Sequence, residues 1–270
     1  MMPEEFELAL LSAVIGIGVS AALFRLVLAW PGRRLPPPVR PPVAIQHLGF
    51  LALALHLLVM LAAPLLVAAF DPSGTSGIAQ GILLTVFANL AVILIVFSTA
   101  RLRFGLRPAR LGLHLPSPWA LPFATLLLGA ALPAFLGASL INFEIARWLD
   151  LDSHQELVRA LMEDERLRTN PLVLIAIVLV VPLLEEVLFR GFVQSALRVT
   201  IGPVPALLAA SLLFAILHDI QSALPVFVVG LTLGAIFERT GSVWASAGAH
   251  ALFNGLQIIA LLTLKGVQAP

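Results

Sequence analysis

Long apolar runs recur along the chain at about 6–30, 44–70, 78–100, 119–142, 171–199, 203–221, 222–238 and 243–264. Each approaches the roughly 20 residues that a helix needs to cross a hydrocarbon core about 30 Å thick. Backbone N–H and C=O groups find no water there, so they must pair within their own segment, which favours helices. The pattern therefore predicts an all-α, polytopic bundle of about eight transmembrane helices. Residues 143–170 are the most charged segment, and Ser153 and Glu156 have capping-box spacing ahead of Leu157, Ala160, Leu161 and Leu167. An amphipathic helix lying on the membrane surface is expected there. This connector separates an amino-terminal four-span region, 1–142, from a four-span core, 171–270, that holds nearly all the ionisable residues inside the apolar runs.

Composition agrees with a membrane chain, since 60% of the 270 residues are hydrophobic, 11% are charged and the mean hydropathy is +1.02. Arg33, Arg34 and Arg40 follow the first run and Arg101, Arg103, Arg107 and Arg110 follow the third. The positive-inside rule makes those loops cytoplasmic, so with eight spans both termini are expected outside a cell membrane. The start of the chain lacks the positive region of a cleavable signal, and the first run is expected to stay in the membrane. Five prolines, at 36, 37, 38, 41 and 42, predict a stiff, extended first cytoplasmic loop. No basic patch suggests nucleic acid; the expected partners are membrane lipid and a peptide or membrane-protein substrate. The chain has no cysteine, which rules out disulfides, thiolate metal ligands and a cysteine nucleophile.

Ionisable side chains within a bilayer cost roughly 2.5–3.5 kcal/mol each on insertion scales, so they usually face the bundle interior and mark function. The fifth run carries Glu185, Glu186 and Arg190. Glu186 and Arg190 are four apart and share a helical face, so they can neutralise each other. Glu185 is turned about 100° from Glu186 and is free to meet another group. The sixth run ends in Phe214-Ala-Ile-Leu-His218 beside Asp219, and the eighth contains His250-Ala-Leu-Phe-Asn254, whose polar residues share a face. Counted from the expected cytoplasmic ends, Glu185 and His218 each lie roughly 22 Å deep, Asn254 roughly 18 Å and His250 roughly 12 Å, so tilted helices can bring them together. A carboxylate beside a neutral imidazole can hold and deprotonate a water, while a second imidazole and an amide can donate to the oxyanion of a tetrahedral intermediate. Glu185, His218 and His250 would also suit a divalent metal such as zinc, with water in the fourth position. The spacing does not separate the two versions.

Glu-Glu-x-x-x-Arg at 185–190, Phe-x-x-x-His at 214–218 and His-x-x-x-Asn at 250–254 together resemble the CPBP family of CAAX proteases and bacteriocin-processing enzymes, also called Abi proteins. The stretch Glu238-Arg-Thr-Gly-Ser-Val-Trp244 is similar to the family's lead-in to its last motif, so the resemblance covers about residues 171–264. It implies an intramembrane endopeptidase acting on membrane-associated or prenylated substrates. By that resemblance Glu185 and His218 activate the water, His250 and Asn254 stabilise the oxyanion, and Glu186 with Arg190 braces the site.

Plainer readings stand beside these. Glu186 and Arg190 also suit a purely structural ion pair. His56 reads as a satisfied interior group with no matching partner, His47, His114 and His154 as solvated loop residues, and Phe214 as packing. Gly74-Thr75-Ser76-Gly77 imitates the Gly-x-Ser-Gly of serine intramembrane proteases but falls where turn residues are expected. There is no His-Glu-x-x-His. The rival classes are a proton-coupled transporter, which would use glutamate and histidine as a relay, and a non-catalytic immunity or scaffold protein built on the same helices.

Overall fold

The computed structural model describes residues 4–29, 43–70, 77–150, 156–218 and 222–268. The arginine- and proline-rich first loop, residues 74–76 of the serine-protease-like motif, Ser153, His154 and Asp219 lie outside them. The described residues form α1 (Glu4–Ala29), α2 (Ile45–Phe70), α3 (Gly77–Phe104), α4 (Ala120–Trp148), α5 (Glu156–Glu163), α6 (Glu165–Thr169), α7 (Pro171–Ile201), α8 (Pro203–His218), α9 (Ala223–Thr240) and α10 (Val243–Gln268). None of the described residues is in a strand. Each of the eight apolar runs is helical over its described residues, apart from single residues at the ends. Seven, namely α1, α2, α3, α4, α7, α9 and α10, are long and apolar enough to cross a membrane, whereas α8 has 16 residues and falls short. Among the described residues the span count thus stands close to the expected eight, with α8 followed only as far as His218.

Helix α7 is the hub, packed by α2, α3, α8, α9 and α10. Phe189 and Phe192 of α7 meet Ile45 and Leu48 of α2, Val96 of α3, Phe214 of α8 and Phe237 of α9 in one core. A second core joins Phe123 and Leu127 of α4 to Leu233 and Ile236 of α9 and Ala249 of α10. Helix α1 adds to this from outside by lying on α4 backbone to backbone. A Cβ on Gly16 would stand 2.3 Å from the Pro133 carbonyl oxygen, and one on Gly137 would stand 2.5 Å from Ala13 Cα. Lipid tails supply no hydrophobic drive between helices, so such close van der Waals approach is what binds them. The Ala134 N–H just past Pro133 donates to Ser20 Oγ at 3.0 Å, a second fastening of α1.

The connector is helical, as its amphipathic pattern requires. Leu161 of α5 is buried against Val173 and Ile177 of α7, with Leu157 and Leu167 partly buried beside them. The caps that the structure describes are Asp164, which accepts from Arg166 N–H at 2.8 Å, and Asn170, which accepts from Leu172 N–H at 3.0 Å. Asn170 followed by Pro171 starts α7, because proline fits the first helical turn, where its missing N–H is not needed.

The α2–α7 contact fixes the amino-terminal helices against the hub, and Gly49 permits it: an added Cβ would lie 2.2 Å from Ala196 Cβ and 2.7 Å from Phe192 O. Gly49→Val is expected to destabilise the protein by about 1–3 kcal/mol, read as a lowered midpoint of thermal unfolding in detergent. An unchanged midpoint would mean that α2 does not rest on α7 here.

Candidate active site

Two stretches of α7 are wound as π-helix, Ala176–Val180 and Val187–Gln194, on either side of the two glutamates. Pro182 explains a consequence of the first. The Val181 N–H bonds to Ala176 O, a five-residue step, so the donor due at Ile177 O is that of residue 182. Proline has none. Asn254 of α10 supplies it, donating from Nδ2 to Ile177 O at 3.0 Å. A carbonyl opened by the sequence of one helix is closed by a side chain of another, which sets the height of α10 against α7.

Past Pro182 the chain presents Glu185 and Glu186 on different faces, to the two nitrogens of the same His250 ring. Glu186 and Arg190 are both wholly buried, and Arg190 Nε stands 3.1 Å from Glu186 Oε2, at an angle that makes the contact an ion pair rather than a hydrogen bond. Arg190 also donates to Gly230 O at 3.3 Å and lies 4.9 Å above the Phe214 ring. The other oxygen of Glu186 accepts from His250 Nδ1 at 3.1 Å. A carboxylate only accepts, so Nδ1 carries the proton and the lone pair of the neutral ring is at Nε2.

Glu185 is the more open of the two, with its side chain 21% exposed. His218 Nε2 is 3.5 Å from its Oε1 and His250 Nε2 is 3.8 Å from its Oε2. His218 Nδ1 donates to Phe214 O at 2.7 Å, so this ring too has its lone pair at Nε2. Phe214 is more than filler: its ring centroid lies 4.1 Å from that of His218, 5.9 Å from His250 and 5.0 Å from Phe189. The structure therefore gathers Glu185, Glu186, Arg190, His218 and His250 into one linked cluster, with Asn254 bound to the same helix farther along.

A cavity of about 190 Å³ opens beside Glu185 and His218. Its other wall comes from α2 and α3 and includes His56, Thr85 and Asn89. His56, read as a satisfied interior group, is satisfied by Asn89, whose Oδ1 lies 2.7 Å from its Nδ1 and which is the partner that the sequence did not show. The two are 33 positions apart on different helices, so no spacing rule could have paired them. Among the described residues no group of three or more His, Asp or Glu is arranged to hold a metal ion.

Residues 167–256 match the family model described as Type II CAAX prenyl endopeptidase Rce1-like, a stretch that contains all three motifs. Over 90 residues the chain is 32% identical to a Bacillus subtilis (strain 168) protein provisionally named membrane peptidase YdiL, covering 33% of this chain and 37% of that protein. The match thus spans little more than a third of that relative's length. No solved structure matches the chain. The likeness of the carboxyl-terminal helices to CAAX proteases, read above from the motifs, is therefore shown for that stretch.

Removing one member of a buried charge pair strands the other, at about 3–5 kcal/mol, so Arg190→Met is expected to lower the unfolding midpoint severely. Glu185→Gln, on the open side of α7, is expected to change stability by less than about 1 kcal/mol. Asn254→Leu, which leaves Ile177 O unpaired, falls between them at about 1–3 kcal/mol. Thermal unfolding of the three variants checks the ranking.

Proposed function

We propose that the protein is an intramembrane endopeptidase that hydrolyses a peptide bond of membrane-associated substrates, prenylated CAAX-type peptides among them, with water activated by Glu185 and His218. The observation that carries this is the position of the Glu185 carboxylate, 3.5 Å and 3.8 Å from two imidazole Nε2 atoms whose rings are fixed through Nδ1. Carboxylate and neutral Nε2 are both acceptors, and a water donating one hydrogen to Glu185 and one to His218 suits such a pair. As the water oxygen bonds to the scissile carbonyl carbon, Glu185 takes its proton. The tetrahedral intermediate then collapses, the C–N bond breaks, and Glu185 returns the proton to the departing amine.

Negative charge on the carbonyl oxygen needs donors in a water-poor site. His250 serves as one when both its nitrogens are protonated, with Glu186 steering the ring. Asn254 has two N–H groups on its amide; one is used by Ile177 O, and the other is left for the oxyanion. Glu186 is a positioning residue, and Arg190 is its counter-ion. The arginine loops after α1 and α3 support an orientation with both termini outside a plasma membrane.

Full-length protein in lipid vesicles, given a farnesylated and internally quenched CAAX-type peptide, is expected to cleave it. Glu185→Gln and His218→Ala are each expected to lower the rate by about 10²–10⁴-fold at unchanged folding. Full activity in either variant overturns the assignment. The same peptide without its farnesyl group tests the substrate class. The divalent-ion version, with zinc on Glu185, His218 and His250, requires stoichiometric metal and loss of cleavage on chelation.

A further inference from the structure

Helices α2 and α3 lie outside the segment that matches the peptidase family, yet they build one wall of the cavity at Glu185. His56 of α2 is 5% exposed. An ionisable ring at such depth is costly to insert and points to a function. It is also held still. Asn89 Nδ2 donates to Thr85 O at 3.0 Å, which turns Oδ1 toward the ring, and His56 Nδ1–H donates to that oxygen at 2.7 Å. Phe189 of α7 packs at 5.7 Å and 83° to the ring plane. With Nδ1 occupied as a donor, Nε2 of the neutral ring is an acceptor, and it is the one polar atom His56 has left to offer the cavity.

The donor that such an acceptor would meet follows from the setting of the cavity. A peptide bond within a helix is sheathed by its own side chains and has its N–H already paired, so one that reaches Glu185 in the cavity wall comes in an unwound segment. Unwinding releases backbone N–H groups at a depth where water does not serve them, and each one left unpaired is costly. We infer that His56, oriented by Asn89, is a substrate-positioning residue: its Nε2 accepts a hydrogen bond from a backbone N–H of the unwound substrate close to the scissile bond. Apolar neighbours on the same cavity, Met60, Val86, Leu184 and Leu217, leave the flanking positions to aliphatic side chains. The inference rests on the endopeptidase reading and extends its site into the two thirds of the chain that the family match leaves out.

Depsipeptides test it, because replacing one backbone N–H by an ester oxygen removes the donor and little else. Full-length protein in vesicles is given the farnesylated quenched peptide and a series with a single ester at each position flanking the scissile bond. One ester is expected to lower wild-type kcat/KM by about tenfold, the effect of one hydrogen bond left unmade. His56→Phe is expected to lower kcat/KM on the all-amide peptide by a similar factor and to be indifferent to that ester; His56→Gln, which restores an acceptor, recovers part of the rate. A general loss of packing would reduce the rate without abolishing the ester effect. Should His56→Phe not fold, the wild-type series decides alone: no ester position with more than a twofold loss overturns the inference. Glu185→Gln is measured in parallel. If it is inactive while His56→Phe cleaves like wild type, the inference falls and the endopeptidase reading stands; if Glu185→Gln cleaves like wild type, both fall.

Discussion

Arg190 carries a guanidinium with no exposed surface inside an apolar bundle, and a charge so placed must be neutralised where it stands. Glu186, one turn earlier on the same helix, does this, and the remainder of the cluster takes its bearings from the pair. The second oxygen of Glu186 fixes His250 on α10, and Phe214 on α8 lies under the guanidinium while pressing on His218. Two histidines from two other helices thereby turn their free nitrogens to Glu185. The ion pair does not itself touch the open cavity. It acts as the internal reference from which α8 and α10 are oriented, which reconciles the structural and catalytic readings of Glu186 and Arg190.

A second constraint is the lack of water for the backbone. Pro182 leaves Ile177 without its helical donor, and Asn254 answers from α10. Small residues achieve the complementary effect elsewhere: Gly16, Gly49 and Gly137 let helices come so near that little side-chain adjustment is possible between them. Such contacts make the positions of the helices discrete, and a site assembled from three of them needs that.

Helix number and position were legible because uncharged length is a direct signal in a membrane chain. The four-residue spacing of Glu186 and Arg190, and the turn that separates Glu185 from them, translated directly into geometry. Asn254 was read on the same four-residue rule as sharing a face with His250; the rule did not show that one N–H of its amide goes to a carbonyl that π winding and a proline expose. Runs of apolar residues look alike at either winding, so only Pro182 hinted at this. The His56–Asn89 pair was illegible for a different reason: it exists only through the packing of α2 on α3, and neither residue carries a local pattern.

The apolar stretch of α8, residues 203–217, spans about 22 Å as helix, less than the hydrocarbon thickness of about 30 Å, and the polar residues His218, Asp219 and Gln221 follow it in the sequence. A bilayer meets a short apolar element by thinning or by drawing its headgroups inward. Such a dent would fall beside the Glu185 carboxylate, where a polar reactant would have the least oil to traverse. On this geometry the acyl-chain length of the host membrane would bear on how readily Glu185 is wetted.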